Sequence, residues 1–257
     1  MTIKITFLGT GTSQGVPVIA CDCEVCLSED VKDTRFRSSV LIETKGKTLL
    51  VDTGPDFRQQ MLRANVKNLD GILYTHEHKD HTAGMDDIRA FNFKHKKPME
   101  LYVDANVEKT LRREYQYVFS GENYPGIPQV NLNLIDKSSD SIIVAGVEVT
   151  LIKLMHYKLP IYGFRVGDFA YCTDTNYIAP EEMKKLKGLD VLVITALRKE
   201  KHISHFSLSE SLEVIAELNP KKAYLTHISH LLGKHKEVSQ ELPSNVQIGW
   251  DGLVVTV

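Results

Sequence analysis

A short segment near residue 80 carries the densest set of metal-ligating side chains. The sequence THEHKDH places His76, His78, Asp80 and His81 within six positions, directly after the apolar run GILY. In an extended segment, residues two apart project to the same side, so His76 and His78 can share one ion. Asp80 and His81 lie one step further on and could bind a second ion. Imidazole and carboxylate together suit zinc, manganese or iron better than calcium, which prefers oxygen ligands.

Three further titratable side chains follow apolar runs in the same way, namely His156, Asp174 and His227. In layered α/β folds, functional sites collect at the carboxyl ends of strands. Each residue taken alone is better explained as a surface or capping residue. Together with the first cluster they supply two more histidines and a carboxylate able to bridge two metals. Asp52 ends another apolar run without a histidine neighbour, which favours support of a ligand over direct ligation.

A second group of reactive residues is the sequence CDCEVC, which contains Cys21, Cys23 and Cys26. These thiols could be a redox device, half of a disulfide framework, one side of a metal site or three unpaired small side chains. A redox pair would need a helix start in a thioredoxin-like βαβ unit, which the sequence lacks. The fourth cysteine, Cys172, lies in a strand pattern and is predicted to be buried core.

The elements that must position these residues are predicted from apolar periodicity. Runs such as IKITFLG, KTLLVDTG, VEVTLIKLMH and DVLVIT read as strands, with helical patterns between them. The clearest helix begins at Ser207, which forms a capping-box pair with Glu210, and Asp104 is a candidate N-cap of another. Strands and helices mixed throughout favour an α/β sandwich, and we expect one domain over residues 1–257.

Composition excludes several classes of protein. The chain has 257 residues, of which 42% are hydrophobic and 25% charged, as in ordinary globular proteins. A net charge of −2 provides no bulk attraction to nucleic acid or to an anionic membrane. No apolar run approaches the roughly 20 residues of a membrane span, and MTIKITFLGTG predicts a strand instead of a signal peptide. We expect a cytoplasmic protein.

The motifs together resemble the metallo-β-lactamase superfamily. HEHKDH has the H-x-H-x-D-H signature of that superfamily, and FLGTGTSQGVP, VDTG, TDT and THISH follow its motif order over essentially the full chain. The resemblance implies an αββα sandwich with a dinuclear site between the sheets. The ligands it implies are His76, His78 and His156 for one metal and Asp80, His81 and His227 for the other, with Asp174 bridging and Asp52 in support.

The chemistry implied by such a site is hydrolytic. Two cations lower the pKa of a bridging water, so that hydroxide is available near neutral pH, and they neutralise phosphoryl oxygens. Since the superfamily also contains lactamases, thiolesterases and nucleases, the fold alone does not choose among these activities. The opening FLGTGTSQGVP with TRFRSSVLIE resembles the phosphodiesterase and tRNA-processing branch. The tRNA-processing enzymes carry a long arm between the His156 and Asp174 motifs, whereas only 17 residues intervene here, and their H-E-A-T motif has no match.

Within this branch, GVPVIACDCEVC resembles the cyclic-phosphate phosphodiesterases of the carbon–phosphorus lyase pathway. In that subgroup a C-x-C-x-x-C segment and a distant histidine bind a structural zinc. The resemblance therefore predicts a closed zinc site formed by Cys21, Cys23, Cys26 and His230.

The other histidines receive separate predictions. His205 precedes the capped helix, where this branch has a histidine that contacts phosphate or assists the leaving group, and His202 competes for the role. We assign catalysis to Asp80 and His205. His95 and His235 are predicted to be solvated.

The sequence thus predicts a metal-dependent phosphodiesterase that hydrolyses a small cyclic or diester phosphate by a metal-bridging hydroxide. The implied substrate resembles 5-phosphoribosyl 1,2-cyclic phosphate, and the implied cofactors are two Mn²⁺ or Zn²⁺ ions and one structural Zn²⁺. The expected partner is a small phosphate ester and not a membrane; a nucleic acid is disfavoured, and a homodimer is compatible with the resemblance. The alternatives are a tRNA 3′-processing or other nuclease, a non-catalytic zinc-stabilised binding module, and a lactamase or thiolesterase.

Overall fold

The strands and helices are those of a computed structural model that describes residues 2–121 and 124–257. The strands within these ranges are β1 (Ile3–Gly9), β2 (Ser39–Thr44), β3 (Lys47–Val51), β4 (Gly71–Leu73), β5 (Met99–Val103), β6 (Val130–Leu134), β7 (Ser141–Val144), β8 (Val147–His156), β9 (Leu159–Val166), β10 (Phe169–Cys172), β11 (Tyr177–Ile178), β12 (Val191–Thr195), β13 (Lys222–Thr226), β14 (Val246–Ile248) and β15 (Val254–Thr256). The helices are α1 (Phe57–Arg63), α2 (Lys79–Thr82), α3 (Arg89–His95), α4 (Ala105–Glu114), α5 (Gln116–Phe119), α6 (Pro180–Lys185), α7 (Leu208–Leu218) and α8 (His235–Val238). Short 3₁₀ turns are formed by Val31–Asp33, Met85–Ile88 and His230–Leu232.

The strands form two sheets that share one design. The first has the order β15-β1-β2-β3-β4-β5-β6, and the second has the order β11-β8-β9-β10-β12-β13-β14, with β7 paired to β8. In each sheet one half is antiparallel and the other half, β3 to β6 or β10 to β14, is parallel. Because the ends of parallel neighbours meet at one edge, each sheet gathers the residues that follow its strands.

Three apolar clusters lie between the four layers of the molecule and hold them together. One cluster joins the first sheet to α1, α3 and α4 through residues such as Phe57, Phe91 and Leu111. A second joins the inner faces of both sheets, and a third joins the second sheet to α6 and α7 through residues such as Met183 and Ile215. This arrangement is an αββα sandwich, so the predicted fold is confirmed.

The predicted helix starts also hold. The Ser207 side chain accepts a hydrogen bond from Glu210 N while the Glu210 carboxylate accepts one from Ser207 N, which completes the capping box at the start of α7. The Asp104 carboxylate accepts from Val107 N at 2.8 Å and caps α4. Among the described residues, no helix is both long and apolar enough to cross a membrane.

Candidate metal centre

The first candidate group of ligands is formed by His76, His78 and His156. One nitrogen from each of these side chains lies within 4.8 Å of the others. His76 follows β4 by three residues, His78 directly precedes α2, and His156 is the last residue of β8, so the group spans both sheets. His76 Nε2 and His78 Nδ1 lie 3.0 Å apart. Two lone-pair nitrogens at this separation are the arrangement that a shared cation requires.

The second group is formed by Asp80, His81, Asp174 and His227, again with one ligand atom from each within 4.8 Å of the others. Asp80 and His81 lie in α2, Asp174 follows β10 by two residues, and His227 directly follows β13. His81, Asp174 and His227 are buried, whereas Asp80 is half-buried. Imidazole and carboxylate in equal number suit zinc or manganese.

Asp174 lies between the two groups. Its Oδ1 is 2.9 Å from His227 Nδ1, and its Oδ2 is 3.2 Å from His81 Nε2 and 3.9 Å from His76 Nε2. The backbone N–H of Asp174 donates to Thr195 Oγ1 at 2.7 Å, which fixes the loop after β10. One carboxylate therefore faces ligands from both groups.

Asp52 orients the His81 ring through its Nδ1 atom. Its Oδ2 lies 2.7 Å from His81 Nδ1, and the same carboxylate accepts hydrogen bonds from the backbone N–H and the hydroxyl of Thr75, each at 2.9 Å. Since a carboxylate accepts, Nδ1 of His81 carries a proton, and Nε2 is the nitrogen that faces the Asp80 and Asp174 carboxylates and would bind a metal. This is the orientation in which an imidazole binds a metal while its other nitrogen is held by a carboxylate.

Other polar side chains around the ligands were not predicted from the sequence. Ser204 O accepts from His156 Nδ1 at 2.9 Å, which leaves the lone pair of that ring on Nε2. The hydroxyls of Thr12 and Ser38 lie 3.2 and 3.3 Å from His227 Nε2 and Nδ1. Thr12 belongs to the FLGTGTSQGVP motif, but its contact with a residue 215 positions away leaves no mark in the sequence.

The pKa values of the buried ligands indicate an environment that favours cations. Burial alone would lower the pKa of His81, but three carboxylates, that of Asp174 first, raise it well above its ordinary value. Burial would raise the pKa of Asp174, but His227 and His81 lower it well below its ordinary value. Burial also lowers the pKa of His76, which keeps that imidazole neutral and able to act as a ligand.

One buried atom gives a direct test of whether a metal fits. His81 Nε2 has no hydrogen bond of good geometry among the described residues, although it lies 3.1 Å from Asp80 Oδ2 and 3.2 Å from Asp174 Oδ2. The same carboxylates raise the pKa of His81 and so favour a positive charge at this point, and a metal cation would take the place of the proton on Nε2. A divalent metal fits this set of donors.

His205 is packed among the proposed metal ligands, whereas His202 lies further from them. The His205 ring stacks on that of His227 with centroids 4.8 Å apart and lies 4.6 Å from that of His156. His205 Nδ1 is buried without a partner among the described residues, and burial lowers the pKa of this side chain to about 3. The His202 ring lies 5.1 Å from that of His205 and is less buried. Of the two, His205 is therefore nearer the centre.

The three cysteines converge on His230, which lies at the start of a 3₁₀ turn. The Sγ atoms of Cys21, Cys23 and Cys26 lie 3.3, 3.3 and 3.4 Å from His230 Nδ1. A tetrahedral zinc with bonds of about 2.3 Å to sulfur and about 2.0 Å to nitrogen separates such atoms by roughly 3.5 Å. Chiefly because the backbone N–H of Cys26 donates to its sulfur, the pKa of Cys23 is lowered to about 6, which favours the thiolate that zinc binds.

The backbone is strained where three of these residues leave their strands. Asp52, Asp174 and His227 have φ values of 64°, 57° and 57°, in the left-handed region. Such residues cost of order 1–3 kcal/mol each and persist only where the surrounding structure fixes them. Here the hydrogen bonds and ring contacts of the centre hold them.

One histidine differs from its prediction. His235 is buried at 9% exposure instead of solvated: its backbone N–H donates to Asp33 Oδ1, and its ring Nδ1 lies 3.4 Å from Arg35 Nη2. The lysines on either side of His235 concealed this in the sequence. His95 is half-exposed, and its Nε2 lies 3.1 Å from Lys67 O. Cys172 is fully buried, as predicted.

Comparison with known proteins places this geometry in a family. The family model described as a beta-lactamase superfamily domain matches residues 47–228. A solved structure described as a new diphosphatase from the PhnP family is 38% identical, with a TM-score of 0.93, and the match covers 100% of this chain and 98% of that one. The expected resemblance to the superfamily and to this subgroup is confirmed.

Two curated relatives are longer than this chain. The octanoyltransferase of Porphyromonas gingivalis is 40% identical over 253 residues, which are 98% of this chain but 51% of that protein. The ribonuclease Z of Methanosarcina acetivorans is 31% identical over 126 residues, 48% of this chain and 34% of that protein. The chain spans about half the length of the first relative and a smaller share of the second, so neither activity is carried over from these matches.

Proposed function

The chain belongs to the beta-lactamase superfamily, and from this membership we propose that it is a metal-dependent phosphodiesterase of small cyclic or diester phosphates. The observation that carries the proposal is the position of Asp174, whose Oδ2 lies near both His76 and His81 and whose Oδ1 faces His227. A carboxylate between two sets of ligands supports a pair of metals, which is the arrangement that suits phosphate esters.

We assign His76, His78 and His156 to one divalent ion and Asp80, His81 and His227 to a second, with Asp174 shared. When bound, two such ions activate water for attack and neutralise charge on phosphoryl oxygens. Both manganese and zinc suit these ligands. A third ion, zinc, is proposed at the three cysteines and His230, where four ligands leave no open position for a substrate.

Neighbouring groups of the protein orient the imidazole ligands of the centre. The Asp52 carboxylate fixes the His81 ring, and Ser204 O fixes that of His156, so both imidazoles turn Nε2 towards the centre. The Nδ1 atom of His205 is buried without a partner among the described residues. We propose that this neutral imidazole donates a hydrogen bond to a phosphate or leaving-group oxygen of the substrate.

The proposed substrate class is that of 5-phosphoribosyl 1,2-cyclic phosphate, opened to the 1,5-bisphosphate. The likeness to a diphosphatase of the PhnP family over the whole chain supports a phosphate ester in preference to a lactam or thioester. The experiment is turnover of this cyclic phosphate, of linear diesters and of nucleotides by metal-loaded protein. We expect the cyclic ester to be hydrolysed fastest, and turnover of none of these esters would refute the proposal.

A nuclease of the ribonuclease Z type is the second candidate, because part of the chain is similar to that enzyme from Methanosarcina acetivorans. The segment between His156 and Asp174 consists of β9, β10 and their turns, which argues against a tRNA-gripping arm at this place. A cleavage assay with precursor tRNA separates the two candidates. We expect no cleavage by a preparation that hydrolyses the cyclic phosphate.

A further inference from the structure

One tight turn contacts both the metal centre and a half-exposed arginine. The turn spans residues 12–15, and Gly15 N donates to Thr12 O at 2.8 Å. At one end, the Thr12 hydroxyl lies 3.2 Å from His227 Nε2. Next to it, Ser13 O accepts a hydrogen bond from Arg37 Nε at 3.0 Å. Arg37 therefore lies beside the loop that borders the metal ligands.

A second loop brings Arg37 close to Asp80 as well. Gly54 lies between them: a Cβ at this position would clash with Asp80 O and would contact Arg37 Cβ. The Ser38 hydroxyl, one residue along the chain, lies 3.3 Å from His227 Nδ1. The arginine thus lies near two ligands of the second metal, Asp80 and His227. Among the described residues, no hydrogen bond joins it to either of them.

The guanidinium of Arg37 is held by hydrogen bonds that use only some of its N–H groups. Its Nη1 lies 3.2 Å from both carboxylate oxygens of Asp56, and Nε is taken by Ser13 O. No hydrogen bond within residues 2–121 and 124–257 uses Nη2, and 28% of the side chain is exposed. A fixed arginine with free N–H groups loses little conformational entropy when it binds an anion.

We propose that Arg37 binds a second phosphate group of the substrate, away from the phosphorus that is attacked. This inference rests on the proposed function, because it takes the metal centre as the place of the scissile phosphate. Arginine is suited to this role, since its planar fork matches two oxygens of a phosphate and keeps its charge at every physiological pH. Asp56 and Ser13 O hold the fork in place. Arg37 is then a specificity-determining residue.

The test compares two diesters that differ only in the second phosphate. Wild type and Arg37→Gln are assayed with 5-phosphoribosyl 1,2-cyclic phosphate and with ribose 1,2-cyclic phosphate. We expect Arg37→Gln to lower kcat/KM about 10- to 100-fold for the first substrate and less than about 3-fold for the second. Arg37→Lys should fall between wild type and Arg37→Gln, because it keeps the charge but loses the fork.

Arg165→Gln is the matched control. This arginine is also ion-paired, its side chain is 21% exposed, and it donates to Gly167 O and Lys187 O at the far end of β9 from His156. Its removal should leave the ratio of the two kcat/KM values unchanged. An equal loss for both substrates in Arg37→Gln, or an altered ratio in Arg165→Gln, would overturn the inference.

A binding measurement keeps the inference separate from the proposed function. Calorimetry with metal-loaded protein compares ribose 1,5-bisphosphate with ribose 1-phosphate. Wild type should bind the bisphosphate at least about 10-fold more tightly, and Arg37→Gln should lose that preference. If wild type hydrolyses neither diester, the proposed function fails while this preference still decides the role of Arg37; equal affinities in wild type would refute that role.

Discussion

The two candidate metal sites of this chain differ in the type, the burial and the structural origin of their ligands. The imidazole–carboxylate centre is built from residues at strand ends of both sheets, and most of its ligands are buried. The cysteine cluster is built from a six-residue loop and His230, and all of its ligands are half-buried. His227 belongs to the first and His230 to the second, so a three-residue step joins them.

We interpret the difference as a separation of a reactive site from a structural one. In the proposed assignment, four ligands around one ion at the cysteines would close the coordination shell, whereas a carboxylate shared between two sets of ligands would leave room for substrate. The supporting contacts follow the same division. Asp52 and Ser204 O orient imidazoles in the buried centre, while the cysteine loop is held to the body by His230.

The largest expected effect comes from removing a ligand of the buried centre. We expect His78→Ala to lower phosphodiesterase kcat/KM by at least about 10³-fold, because one metal loses a ligand. The fold should persist, since His78 is the exposed ligand and its removal leaves no core cavity. Metal analysis, kinetics and thermal unfolding check this. His95→Ala, which removes a half-exposed histidine outside both sites, serves as control, and full activity in His78→Ala would contradict the assignment.

The next effect concerns the cysteine cluster. Cys23→Ser should lose one metal per chain and lower the free energy of unfolding by about 3 kcal/mol, because the metal stabilises only the folded loop. Its effect on kcat/KM should be smaller than that of His78→Ala. Metal analysis and chemical denaturation measure this, with Cys172→Ala as a variant that removes a thiol outside the cluster. Retention of all bound metal in Cys23→Ser would argue against a zinc site.

The candidate ligands could be predicted from the sequence, but most of the residues around them could not. His76, His78 and Asp80 are close in sequence, so their spacing alone indicates a metal site. The hydroxyl of Ser38 reaches His227 across 189 positions of sequence, and such a contact exists only after both sheets have formed. The left-handed backbone of Asp174 could not be predicted either, because tertiary contacts impose it.

A smaller effect should follow from weakening a support of the buried centre. Asp52→Asn keeps the size of the side chain but removes the charge that orients His81. We expect metal affinity at the buried centre to fall about 10- to 100-fold, while the cysteine cluster keeps its metal. Competition with a chelator, followed by metal analysis, distinguishes the two sites. Equal loss from both would mean that they are not independent.

The smallest effect is a pH dependence beside the cysteine loop. Burial and the neighbouring Arg35 lower the pKa of His235 to about 4. The unfolded chain therefore takes up a proton nearer pH 6.5, so this contribution is complete above that pH and is lost as the pH falls towards 4. We expect wild type to lose about 1–2 kcal/mol more than His235→Gln between pH 7 and pH 5, after allowance for partial solvent screening. Urea denaturation at both pH values measures this, and identical losses would contradict it.

The most direct test of the account measures bound metal and hydrolysis of 5-phosphoribosyl 1,2-cyclic phosphate in the same samples. Wild type, His78→Ala and Cys23→Ser are compared before and after treatment with a chelator. We expect hydrolysis to follow the metal of the buried centre: it is absent in His78→Ala, persists in Cys23→Ser, disappears on chelation and returns with manganese or zinc. Full hydrolysis by wild-type protein stripped of all metal would contradict it.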